Sequence, residues 1–72
     1  MASDVVRRAR NKLQIIDAAT TLQDLRSPPG NDLKRRTDGL WQIRVNDQYR
    51  ILFSIVSEAP LRIEDVWFGD PH

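Results

Sequence analysis

The hydrophobic period of this chain changes once, and the position of that change constrains its fold more than any other feature. Up to "SPPGND" at 27–32 the apolar residues recur at steps of three and four, whereas from Trp41 onward they recur at steps of two. A chain of 72 residues with one such switch has room for one helical layer and one small sheet, an α+β arrangement expected as a single domain over 1–72. A domain of this size buries only about 60% of the surface its unfolded chain exposes, so it is expected to be marginally stable.

In the first half, Val5, Val6, Ala9, Leu13, Ile16 and Ala19 mark the apolar stripe of a helix from Ser3 to Ala19, with Arg7, Arg8, Arg10 and Lys12 between them. Ser3 or Asp4 suits its N-terminus, where free N–H groups and the positive end of the dipole favour an acceptor. "TTLQDLR" at 20–26 predicts a short second helix, capped by Thr20 or Thr21, with Leu22 and Leu25 inward. Two prolines and a glycine then end it, and 27–39 is expected to be a loop carrying Lys34, Arg35 and Arg36.

In the second half, Trp41, Ile43 and Val45 alternate with Gln42 and Arg44, and Tyr49, Ile51, Phe53 and Ile55 alternate with Arg50, Leu52 and Ser54. A two-residue turn between these strands would pair Ile43 with Arg50 and mix charge into the core. A three-residue loop, "NDQ", instead sets Val45 opposite Tyr49, Ile43 opposite Ile51 and Trp41 opposite Phe53. That leaves Gln42, Arg44, Arg50 and Ser54 on the other face. Residues 61–68, "LRIEDVWF", are expected as a third strand of an antiparallel meander, and their broken alternation points to a bulge.

Composition excludes several kinds of chemistry. There is no cysteine and a single histidine, so no disulfide framework, thiolate metal site or zinc cluster is expected, and no cofactor is called for. A reducing, cytoplasmic setting fits, and no apolar run approaches the roughly 20 residues needed to cross a membrane. Eleven Lys+Arg against ten Asp+Glu give a net charge of +1, so only the distribution of charge can speak for a polyanionic partner. Arg44 and Arg50, side by side on one sheet face and flanked by Lys34, Arg35 and Arg36, form a candidate phosphodiester cradle. The plainer reading is a solvated face with Glu64 or Asp65 as salt-bridge partners. Trp41, Trp67, Phe53 and Tyr49 are aromatics able to stack on bases, yet at strand spacing they are more readily read as core. His72, the last residue, is the only side chain whose ordinary pKa lies near neutrality, so it is the economical proton carrier if one is needed and otherwise a loose end.

"IDAATTLQDLRSPPGNDL" and "IRVNDQYRILF" resemble, in order and without gaps, two stretches of the HigB branch of the RelE/ParE toxin superfamily, the plasmid maintenance killer proteins. The resemblance covers about Arg7 to His72. It implies a RelE-like fold, one long and one short helix on a small three-stranded antiparallel β-meander, lacking the family's usual first strand and first helix. It also implies a ribosome-dependent messenger-RNA endonuclease, neutralised by a HigA-like helix-turn-helix antitoxin, with operator DNA bound only through the toxin–antitoxin complex.

Carried over by position, Arg50 matches the family arginine implicated in stabilising the scissile phosphate, and Asp70 and His72 match the outer members of its terminal Asp-Tyr-His. Lys34, Arg35, Arg36 and Arg44 are the expected RNA- and ribosome-binding residues. The chain departs from the pattern at Pro71, which replaces the tyrosine, and between Gly30 and Trp41, where the segment is shorter and the usual upstream histidine is missing. An alternative reading is therefore a toxin homologue that binds antitoxin or ribosome without cleaving RNA; a third is a topoisomerase poison. The missing first strand is expected to leave a sheet edge that invites a second copy or the antitoxin.

Overall fold

The structure, a computed structural model, describes residues 3–26 and 29–71. Two helices, α1 (Ser3–Ala18) and α2 (Leu22–Arg26), and a 3-10 turn (Pro29–Asn31) precede four strands: β1 (Lys34–Arg35), β2 (Trp41–Arg44), β3 (Arg50–Glu58) and β4 (Leu61–Gly69). The strands make one antiparallel sheet in the order β1-β2-β3-β4. The α+β arrangement agrees with the RelE-like expectation, with one strand more than the sequence indicated.

The extra strand lies in the segment expected to be a loop. Lys34 pairs with Gln42 and Arg35 with Trp41. A tight turn makes this possible: the Arg36 N–H donates to the Leu40 carbonyl at 2.7 Å and the Gly39 N–H to the Arg36 carbonyl at 3.1 Å. Gly39 takes a φ of 90°, which a side chain would resist. Charged residues at an outer strand are compatible with pairing, because only one side of the strand is bonded and both side chains stay wet.

On α1 the buried stripe is Val5, Ala9 and Ile16. Val6 and Leu13, expected in the core, are 42% and 39% exposed, since they lie at the edge of the buried stripe, about 60–80° around the helix from its middle. The stripe position between Ala9 and Ile16 belongs to Lys12, which is half-buried. Its ammonium donates to Oδ1 of Asn31, a side chain with no exposed surface, and Asn31 Nδ2 donates to the Leu25 carbonyl at 3.0 Å. One polar chain thus ties α1, the 3-10 turn and α2 together, and partial burial pulls the Lys12 ammonium below its ordinary pKa.

The cap of α2 is reciprocal. Thr21 Oγ1 accepts from the Asp24 N–H at 3.3 Å, while Asp24 Oδ2 accepts from the N–H groups of Thr20 at 3.0 Å and Thr21 at 3.2 Å. These backbone donors hold the Asp24 carboxyl below the usual carboxylate range.

The β2–β3 register is the one the apolar pattern demands: Trp41 opposite Phe53, Ile43 opposite Ile51 and Arg44 opposite Arg50. Ile43, Ile51 and Phe53 have no exposed surface and join Leu25, Val5, Ala9 and Ile16 in one core. The expected bulge is present, and there is a second. Between Leu52 and Ser54 the pairing shifts so that β4 carries an extra residue around Asp65, whose φ is 55°; between Ile55 and Ser57 the extra residue is on β3. The first shift puts Ile63 and Phe68, odd and even in number, on the same inward face, which is why the alternation of "LRIEDVWF" reads as broken. Among the described residues no helix is long and apolar enough to cross a membrane.

Candidate functional site: the open face of the sheet

Pairing sorts the strand residues onto two faces. The helices cover Trp41, Ile43, Ile51, Phe53 and Phe68; the opposite face carries Lys34, Gln42, Arg44, Arg50, Leu52, Trp67 and Gly69. Arg44 and Arg50 therefore share the open face, as their alternation indicated, and Lys34, expected in a flanking loop, joins them from β1. Arg35 does not join them. It pairs with Trp41 on the other face, its guanidinium carbon 5.8 Å from that ring's centroid. Arg36 returns to the open face through Gln42, whose Oε1 accepts from Arg36 Nη1 at 3.2 Å, while Arg36 Nε donates to Asp38 at 3.1 Å.

The β2–β3 turn organises the two arginines. Asn46 Oδ1 accepts from the N–H groups of Gln48 at 2.9 Å and Tyr49 at 2.7 Å, an Asx-type closure that fixes the three-residue loop. Arg50 Nη1 donates to the Asn46 carbonyl and, at 3.0 Å, to the Tyr49 carbonyl. Arg44 Nη2 pairs with Asp47. These partners come from the turn rather than from Glu64 or Asp65, because Arg50 lies opposite Gly69 whereas Glu64 lies further down the sheet, opposite Ser54. The arginine pair is held near its own turn, with cationic groups at the end of the open face.

Asp70 is brought to the same end. Gly69 lies opposite Arg50, so Asp70 follows directly beyond the arginine's partner, and Gln48 Nε2 donates to Asp70 Oδ2 at 3.3 Å. Gln48 was not among the residues singled out from the sequence. Its signal was its place in "NDQ", where it could equally have been a plain turn residue. His72, the expected proton carrier, lies outside the described residues.

Three of the four aromatics behave as core in full or in part: Phe53 is fully buried, Trp41 packs against the core, and Tyr49 stacks on Phe68 with ring centroids 5.6 Å apart. Trp41 is half-buried. Trp67 departs from the core expectation at 47% exposure, since the Asp65 bulge turns it to the open face. At the Arg44 edge of the sheet a polar cleft of about 580 Å³ lies between α1, the 3-10 turn and the β2–β3 turn, with Arg8, Asp32, Arg44 and Asp47 in its wall. A groove of about 460 Å³ runs between the end of α1 and β4, lined by the apolar Leu13, Ile16, Ala19, Leu61, Ile63 and Val66 together with Asp17. Among the described residues no group of three or more His, Asp or Glu side chains could hold a metal ion.

A helical layer on one face of a small antiparallel sheet, with Arg44, Arg50 and Asp70 gathered at one end of the other, is consistent with the RelE-like toxin fold. The chain matches, over residues 1–72, the family described as the RelE-like toxin of the type II toxin–antitoxin system HigB, and it belongs to that family. It is 44% identical over 64 residues to Toxin HigB-1 of Vibrio cholerae serotype O1, an alignment covering 85% of this chain and 63% of that protein. It is also 37% identical over 73 residues to an uncharacterized protein of Haemophilus influenzae, covering 97% of this chain and 68% of that protein. The chain therefore spans somewhat less than two thirds of Toxin HigB-1.

Proposed function

We propose that this chain is the toxin of a type II toxin–antitoxin module, acting as a ribosome-dependent messenger-RNA endonuclease in the cytoplasm. The observation that supports it is the meeting of Arg50 and Asp70 at one end of an open, cationic sheet face, through the Arg50–Gly69 pair and the Gln48–Asp70 hydrogen bond. In the proposed reaction the ribose 2′-hydroxyl attacks the adjacent phosphorus, forming a 2′,3′-cyclic phosphate and breaking the bond to the 5′-oxygen of the next nucleotide. Arg50 neutralises the charge that develops on the phosphate oxygens, with Arg44, Lys34 and Arg36 holding the backbone on either side. His72 moves a proton, and Asp70 positions it. The partners are a HigA-like helix-turn-helix antitoxin and the translating ribosome, and operator DNA is reached only through the antitoxin complex.

Expression from a tightly repressed promoter tests this, reading growth and message cleavage for the native chain, Arg50→Ala and His72→Ala. Removing the phosphate-stabilising arginine should lower cleavage by about 10²–10³-fold. Equal harmlessness of all three would refute the nuclease reading. A second reading has its own support: Arg50 Nη1 is already engaged by two carbonyls, and Pro71 supplies no hydroxyl between Asp70 and His72. On that reading the chain binds antitoxin or ribosome without cutting. Co-purification with the antitoxin, without cleavage of translated messages, distinguishes it.

A further inference from the structure

Among the large apolar side chains exposed on the described residues, Trp67 is the only aromatic one. Its place is set by the sheet rather than by a loop. Trp67 sits opposite Leu52, and Gly69, two residues on, sits opposite Arg50. The indole lies down along its strand onto Gly69: a Cβ at that glycine would come within 2.6 Å of both Cη2 and Cζ2 of the ring. A side chain at position 69 would therefore lift the ring away. The glycine keeps the ring against the strand beside the arginine, since directly opposed positions of an antiparallel pair are only about 5 Å apart.

We propose that Trp67, seated on Gly69, is a base-stacking subsite for single-stranded RNA, placing one nucleobase next to the phosphate that faces Arg50. The proposal rests on the RNA-cleaving reading of the same face and adds to it the group that would hold the base. Stacking on an indole tolerates any base, because every base has a π-face, and it combines naturally with a backbone held by cations. The composition of the face favours RNA over an apolar protein anchor. Trp67 sits opposite Leu52, with Gln42 and then Lys34 further across the sheet in the same row, and Arg50 and Arg44 occupy the adjacent row with Gly69, so that apart from Leu52 the face around the ring is polar and cationic. An apolar partner pressed onto Trp67 would strip water from those charges without pairing them, whereas a nucleotide strand offers a ring to the indole and phosphates to the cations.

The test uses the full chain labelled with 5-fluorotryptophan, whose two ¹⁹F signals are assigned with Trp67→Phe. A short single-stranded oligoribonucleotide should move the Trp67 signal, and an abasic strand of the same phosphodiester length should not. Trp67→Ala should weaken binding of the base-containing strand about ten-fold, and Trp67→Phe should restore most of the loss. A Trp67 signal that is unmoved by RNA, or that moves only when the helix-turn-helix antitoxin is added, overturns the subsite. So does a Trp67→Ala chain that binds both strands as the native one does. Movement with RNA in a chain that cleaves no message would remove the nuclease reading and leave the subsite standing.

Discussion

The two faces of the sheet are built from the same strands and differ in almost everything else. The helix-covered face is closed: Ile43, Ile51 and Phe53 have no exposed surface, and their partners come from both helices. The open face carries Arg44, Arg50, Gln42 and the exposed Trp67, with only Leu52 buried among them at 7% exposure. The covered face stabilises the fold, and the open face is where polar and aromatic groups can be placed without a packing cost. Substitutions on the two faces should therefore separate stability from function.

The largest effect is expected at Phe53→Ala. Emptying a fully buried aromatic site typically costs about 3–5 kcal/mol, comparable with the whole stability of a small domain. Its denaturation curve should lack a folded baseline, and a normal cooperative transition would mean that the covered face does not carry the fold. Next is Asn31→Ala, which leaves the half-buried Lys12 ammonium and the Leu25 carbonyl without their partner, at a cost of about 1–3 kcal/mol. Asn31→Ala together with Lys12→Met should recover part of that loss in a urea titration, because the buried charge is removed with its acceptor.

Thr21→Ala, which deletes one half of the α2 cap, should cost about 1 kcal/mol. The other half of that cap should appear as a pH effect. Hydrogen bonds from the Thr20 and Thr21 N–H groups depress the folded pKa of Asp24, so its contribution is full above the unfolded value of about 3.9 and is lost as pH falls through the lower folded one. Melting temperature followed from pH 5 downward should fall less steeply for Asp24→Asn than for the native chain. The smallest effect on stability is expected on the open face, where Arg44→Ala breaks only an exposed ion pair with Asp47 and should shift stability by less than about 1 kcal/mol. If Arg44→Ala also leaves RNA binding unchanged, the open face is a solvated surface and the contrast between the faces fails on its functional side.

Much of this was legible in residue order because it depends on local patterns. The steps of α1, the turn at "NDQ" and the pairing of Ile43 with Ile51 follow from periodicity, since a register slip by one residue would send charges into the core. What escaped depends on distant chain segments. Lys12 reads as one more polar residue of a basic helix until Asn31, nineteen positions on, receives its ammonium. Lys34 and Arg35 read as loop because two residues carry no period, and only β2 beside them makes them a strand. Trp67 reads as core because an aromatic at strand spacing usually is, and a bulge at Asp65 reverses its face.

By itself, then, the sequence determined the order of the layers, the central register and the family, all of which rest on repeat length and on motifs of contiguous residues. Only the tertiary structure decided which face each basic residue serves, that Asp70 reaches the arginine end through Gln48, and that Trp67 stands open beside Arg50. The reason is that side-chain direction on a strand inverts with each inserted residue. A single bulge, invisible in a list of propensities, reassigns everything after it.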